Sequence, residues 1–274
     1  MRVLLAVVMM AIWPVLPACA EDALLALSTG KSELVLSAEE LLSRADAATI
    51  EVPADVAYGR PMTFRDVPLL ALLGKHLDPA FDTLEATATD GFVAQIPLGL
   101  VNEGASGGSV AWLAVEDGAA PWPALPGKSA SAGPFYLVWE HPQRSGVGTE
   151  QWPYQVAALT LTQSPAHRWP QMAVAEDVPE GAPARRGQAV FTSQCLPCHR
   201  MKGAGASDVG PDLGTPMGPT QYLSPAGLRA LIRNPKSVRT WPQQQMPGFD
   251  AATLPDSDLD ALISYLAYMA DRPR

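Results

Sequence analysis

Cys195-Leu196-Pro197-Cys198-His199 is the stretch of this sequence with the most definite chemistry. Two cysteines with two residues between them, followed directly by histidine, form the attachment signature of c-type haem. Each thiol can add across one of the two vinyl groups on one porphyrin edge. The adjacent imidazole then lies beneath the iron as proximal ligand. Other uses of a CxxC pair ask for more than the chain offers. A structural zinc site usually takes four protein ligands from Cys and His, and neither residue type follows His199. A thioredoxin-type pair has no need of the histidine and sits in a βαβ setting.

An iron held on one side by His199 needs a partner on the other. With no later histidine, a bis-histidine iron within this region is excluded, and Met201, Met217, Met246 and Met269 remain. Met201 is too near the attachment site to reach the opposite face, and Met269 falls on an apolar helix stripe. Met217, Met246 or an open sixth position is left. A thioether opposite an imidazole raises the reduction potential and fills both axial positions, which suits electron transfer.

Helices must position these groups. Residues 186–194 read as a helix running into the motif, with Gly187 and Phe191 four apart on one face. A last helix follows Asp256 or Ser257 as cap, with Leu259, Leu262, Ile263, Leu266 and Met269 at helical spacing. Between them, Ser224-Pro225 opens a shorter helix that ends near Asn234-Pro235.

The preceding residues have a different period. Short strands are expected over residues 32–36, 49–52, 62–64, 109–115, 134–139 and 154–162. A hairpin joins 83–89 to 92–97 through Asp90-Gly91, a dipeptide favoured in tight turns. Ser37 and Glu40 form a capping box opening a helix through Arg44, and a leucine-rich helix is expected from Val67 to Leu77. The sum is a mostly β, α+β domain with two helices. His76 at a helix end and His141 in a loop read as structural or solvent-exposed. The loop 140–151 is the first place to look for any small ligand of this domain. Residues 164–183, with four prolines, read as a semi-extended linker, in which His167 and Trp169 are surface residues.

The first twenty residues read as a Sec-type export signal: Arg2, an apolar run from Val3 to Ile12, and Ala18-Cys19-Ala20. Cleavage after Ala20 gives a soluble periplasmic product. Lipidation at Cys19 is the alternative. No other segment is apolar enough to span a membrane. Net charge is −9, and residues 1–175 hold 9 basic against 18 acidic residues, while the remainder balances at 10 each. That excess disfavours nucleic acid and suits a basic redox partner.

The order of motifs in residues 184–274 closely resembles class I cytochrome c, an all-α haem domain. The resemblance implies one covalent haem c on Cys195 and Cys198, with His199 and Met246 as axial ligands. Met246-Pro247-Gly248-Phe249 matches the family's ligand loop. In Gly210-Pro211-Asp212-Leu213-Gly214, the Pro211 carbonyl would accept the proximal imidazole's hydrogen bond. Arg233, Asn234 and Trp241 lie where the family often places donors to haem propionates.

Residues 21–163 resemble a shortened molybdopterin-binding fold of the sulfite oxidase family. The residues behind this are Phe64-Arg65-Asp66-Val67-Pro68-Leu69, Asp90-Gly91-Phe92 before Ile96-Pro97-Leu98, Gly133 to Val138, and Trp152 to Val156. That family holds molybdenum through a cysteine, and residues 21–194 contain none, so no molybdenum is expected. The two resemblances imply a periplasmic electron carrier without substrate turnover of its own. Its first domain would dock a partner, either a dehydrogenase or a terminal oxidase. The alternative is the haem-accepting part of a sulfite-dehydrogenase-like enzyme.

Overall fold

The computed structural model describes residues 23–272, so the expected signal segment and Cys19 lie outside the described residues. Buried apolar side chains form two separate cores, one drawn from residues 25–161 and one from 172–269. The chain is thus multidomain, with a mostly β region followed by a helical one.

The first region contains β1 (Leu24–Ser28), β2 (Glu33–Ser37), α1 (Ala38–Leu42), β3 (Ala48–Val52), β4 (Met62–Pro68) and α2 (Leu69–Leu73). It continues with β5 (Thr83–Ala88), β6 (Val93–Pro97), α3 (Leu98–Asn102), β7 (Val110–Val115), β8 (Phe135–Glu140) and β9 (Val156–Thr162). One sheet has the order β2-β1-β9-β5-β6 and the other β3-β4-β7-β8, with only β1 and β9 paired in parallel. Residues alternate across the pleat: in β4, Met62 and Phe64 are buried while Thr63 and Arg65 are exposed. The Asp90-Gly91 turn joins β5 to β6, with Gly91 at φ +89°, a left-handed geometry that suits glycine.

Local signals set some boundaries and long-range pairing sets others. The capping box is formed: the Ser37 hydroxyl accepts from the Glu40 amide at 3.1 Å, and the Glu40 carboxylate accepts from the Ser37 amide at 2.8 Å. The leucine-rich helix begins at Leu69 instead of Val67. Val67 and Pro68 extend β4 opposite Leu113 and Trp112, since a residue before proline prefers extended backbone. The sequence reading also missed two elements, the strand β1 and the helix α3. His76 sits in a 3₁₀ turn after α2 and His141 is exposed at φ +52°.

The helical region comprises α4 (Pro165–Arg168), α5 (Pro183–Val190), α6 (Pro219–Tyr222), α7 (Pro225–Arg233), α8 (Pro235–Val238) and α9 (Asp256–Asp271). The α5–α9 crossing organises it. A Cβ on Gly187 would lie 1.9 Å from the Ala261 carbonyl oxygen, so only glycine allows this approach. One turn on, Phe191 and Tyr265 rings meet at 5.3 Å between centroids. Pro255, not Asp256 or Ser257, takes the N-cap place of α9. Ser224 caps α7, its hydroxyl accepting from the Gly227 amide at 3.1 Å.

Residues 164–183 follow an irregular path that is tied down at both ends. Arg168 pairs with Glu85 at 2.7 Å and donates to Gln95 at 2.6 Å. Met172 and Val174 are buried in the second core. The Tyr265 hydroxyl donates to the Met172 carbonyl at 2.8 Å, and the Tyr268 hydroxyl accepts from the Ala175 amide at 3.0 Å. His167 is exposed and its Nδ1 lies 3.0 Å from the Ser164 hydroxyl. Among the described residues no helix is long and apolar enough to cross a membrane.

Candidate functional site

Helix α5 delivers the cysteine motif through one wide turn. Phe191–Cys195 winds as a π-helix, with the Leu196 amide donating to the Phe191 carbonyl at 2.8 Å. Such bulges often occur at functional sites. Phe191 and Leu196 anchor the turn in the core at 0% and 1% exposure. The amides of Cys198 and His199 both donate to the Cys195 carbonyl, at 3.1 and 2.8 Å. The two thiols and the imidazole thereby sit on one short turn.

The loop opposite holds the ring. His199 Nδ1–H donates to the Pro211 carbonyl at 2.8 Å, leaving Nε2 as the nitrogen free to act as a ligand. Gly210 lies so near the ring that a Cβ there would be 2.5 Å from His199 Cε1. Backbone bonds from Gly210 to Cys198 and from Leu213 to Arg200, both 2.7 Å, stitch the loop to the motif. The Asp212 carboxylate adds bonds from the amides of Lys202, Gly203 and Gly214. Burial lowers the His199 pKa below its ordinary value, with the Pro211 bond opposing, so the imidazole is neutral at neutral pH.

Both thiols are pushed up to about 12, first by burial and next by the Glu150 carboxyl. Protonated thiols beside a neutral imidazole suit addition to porphyrin vinyls and ligation of iron by nitrogen. They suit a thiolate zinc cage poorly. Among the described residues there is no cluster of three or more His, Cys, Asp or Glu side chains fit to hold a metal ion. The donor set therefore fits haem.

The remaining candidates lie on the later loops. Met246 is partly buried and packs against the second core, whereas Met217 is 48% exposed. Met201 and Met269 are core residues at 0% and 1% exposure. The loop carrying Met246 is fixed by the Phe249 amide, which donates to Ile232 at 3.0 Å. Gly248 passes so close that a Cβ would meet the Arg233 carbonyl oxygen at 2.6 Å. The Arg233 guanidinium donates to the carbonyls of Phe249, Asp250 and Leu254 and to Asp256 at 2.6–3.0 Å. A bond to a propionate would have to compete with these. Asn234 closes α7, and Trp241 is exposed beneath the Arg239 guanidinium, 5.6 Å from its ring centroid.

Sequence reasoning missed the part of the first domain that meets the motif. The Val93 amide donates to the Pro197 carbonyl at 3.1 Å, and the Ser207 hydroxyl to the Gly91 carbonyl at 2.9 Å. The 3₁₀ turn Thr149–Gln151 follows Gly148, which packs on Gln194, and its Glu150 carboxyl acts on both cysteines. Glu150 falls in the loop already singled out for its polar groups and glycines, but nothing in its spacing pointed toward residue 195.

A helical domain built around a CxxCH turn and a proline-anchored histidine is a cytochrome c domain. Residues 182–266 match the family described as Cytochrome C oxidase, cbb3-type, subunit III. The chain thus has a C-terminal cytochrome c domain, which implies haem c and haem-based electron transfer. No curated protein matches the chain.

Proposed function

We propose that this chain is a periplasmic class I-type cytochrome c that passes single electrons through one covalent haem. Cys195 and Cys198 hold the porphyrin, and His199 and Met246 are the axial ligands. The reading is carried by the His199 ring, anchored at Nδ1 by Pro211 and bare at Nε2. When bound, haem supplies one-electron exchange between ferric and ferrous iron. The rest is the work of the chain's own residues. Pro211 fixes the plane of the imidazole and raises its basicity. Arg233 clamps the loop that offers Met246. Phe191, Leu196, Leu228 and Ile232 keep the surroundings apolar, which lowers the reorganisation that accompanies a change of charge.

The first domain we read as a docking surface with a shortened sulfite-oxidase-type shell and no molybdenum, since residues 21–194 lack cysteine. Its acidic excess suits a basic partner, and the oxidase family matched by residues 182–266 favours a dehydrogenase or terminal oxidase of a respiratory chain. The test is Met246→Ala in the exported, haem-loaded protein. It should keep the haem, abolish the weak near-infrared charge-transfer band of sulfur-ligated ferric haem and lower the midpoint potential. Persistence of that band would remove Met246 as ligand, and a colourless, iron-free wild-type protein would remove the whole reading.

A further inference from the structure

The surface of the first domain that faces the cytochrome motif is built into it. β6 is the last strand of its sheet, and an edge strand presents unpaired backbone groups. Here one of them, the Val93 amide, is satisfied by the carbonyl of Pro197, one of the two residues between the cysteines. Pro197 and Val93 are both buried. The neighbouring turn is fixed by Ser207, which is fully buried, donates to Gly91 and accepts from the Val209 amide at 3.3 Å. On the other side of the motif, Gly148 approaches Gln194 so closely that a Cβ would lie 2.3 Å from its Nε2. Two segments of one domain, the β5–β6 hairpin and the turn at Gly148, therefore close over residues 194–209 of the other.

Two residues beyond Gly148, this cover carries an acid. Glu150 follows that close approach of Gly148 to Gln194 by two residues, and its carboxyl raises the pKa of both thiols that would join the porphyrin edge. Asp90, on the other turn, acts on the Cys198 thiol in the same sense. The Thr149 hydroxyl bonds the Glu150 carboxyl, the Tyr265 hydroxyl of α9 interacts electrostatically with Cys195, and Glu180 and Arg185 line the adjoining cleft with Gln151 and Ser193. We propose that the first domain is a fixed cover over the thioether edge of the haem, and that the Glu150 carboxylate is the group through which it lowers the reduction potential. This rests on the haem reading above. Oxidation adds one positive charge at the iron, and a carboxylate in a medium of low dielectric favours that state more than it would in water. Burial raises the Glu150 pKa to about 7, so uptake of one proton at this carboxylate accompanies the arrival of one electron from the reductant. The thioether edge is then closed to partners, and exchange takes place elsewhere on the haem perimeter.

The experiment is a mediated redox titration of the full-length, haem-loaded chain, followed by haem absorption at pH values on both sides of 7. Glu150→Gln should raise the midpoint potential above pH 7 and flatten its dependence on pH there. The two proteins should coincide well below pH 7, where the wild-type acid is already neutral. Glu150→Asp should restore the slope. Amide hydrogen exchange on the same wild-type sample should find Val93 protected. Equal potentials for wild type and Glu150→Gln across the whole range would overturn the role of Glu150, and free exchange at Val93 would overturn the cover. The haem spectrum and content of each sample separate these failures from failure of the cytochrome reading itself.

Discussion

The first domain buries its apolar side chains between two stitched sheets, whereas the cytochrome domain wraps short helices and pinned loops around one histidine. In the first, ladder hydrogen bonds satisfy the backbone, and side chains such as Phe64, Tyr136 and Trp139 fill the core around the sheets. In the second, long stretches lie outside regular structure, and Asp212, Arg233 and Arg185 take up their loose backbone groups. The difference is one of purpose. A sheet core is complete by itself, while loops held by individual side chains keep a ring of ligands in place around a group of fixed shape. The cytochrome domain should therefore fail at a few close contacts, and the first domain should tolerate even a misplaced charge.

The sharpest way to break the comparison is at the α5–α9 crossing. Gly187→Val places methyl groups where the Ala261 carbonyl already lies within 1.9 Å of a Cβ. The helices must separate, and Phe191 loses its packing on Tyr265. Overpacking against backbone costs roughly 3 kcal/mol or more. The expected outcome is loss of haem incorporation and of much α-helical circular dichroism, with the β-sheet signal kept. Retention of a normal haem spectrum would show that the second domain does not depend on this contact.

The next effect lies in the first domain. Asp66 is 0% exposed and stands opposite Ala48 and Ala114, and its carboxylate has at most a poorly aligned hydrogen bond from the Ile50 amide. Burial, with the nearby Glu140 adding, raises its pKa to about 8 from 3.8. Below 3.8 the acid is protonated whether the chain is folded or not. Between that value and about 8 the unfolded chain releases its proton and the folded one keeps it, so stability falls as pH rises through this window. Asp66→Asn removes the slope and should stabilise the first domain by roughly 2–4 kcal/mol near pH 8, with little gain near pH 3. Urea unfolding followed by tryptophan fluorescence at the two pH values measures this. An equal effect at both would mean that the charge is not what Asp66 contributes.

Much of this was legible because the signals were local. The CxxCH motif, the Asp90-Gly91 hairpin turn, the Ser224 cap and the apolar stripe of the last helix each depend on neighbours within a few residues. What the sequence reading missed depends on distant partners. Met172 and Val174 lie in a proline-rich stretch without period, and they are buried because Tyr265, Tyr268 and Gln188 bond the backbone of residues 172, 175 and 174 from far along the chain. Val67 and Pro68 look like a helix start until β7 is in place to pair with them. Glu150 reaches the motif only because two domains meet. Arg233 falls at the end of its helix as expected, but three of the four acceptors around it come from a loop whose path composition does not reveal, and the fourth from the start of α9.

The smallest effect tests whether local design matters in the sheet domain at all. Ser37 and Glu40 exchange bonds at the start of α1, a helix of five residues on the outside of the first core. So short a helix cannot persist on propensity alone; its single buried residue, Leu41, and its cap must hold it. Ser37→Ala removes one of the two reciprocal bonds and should cost about 1 kcal/mol, read as a small fall in the urea midpoint of the first domain with the haem spectrum unchanged. A loss well below that would mean that Leu41 packing alone fixes the helix. The sheet core would then be independent even of its own capping signal, the opposite of a cytochrome domain whose loops hang on single side chains such as Asp212 and Arg233.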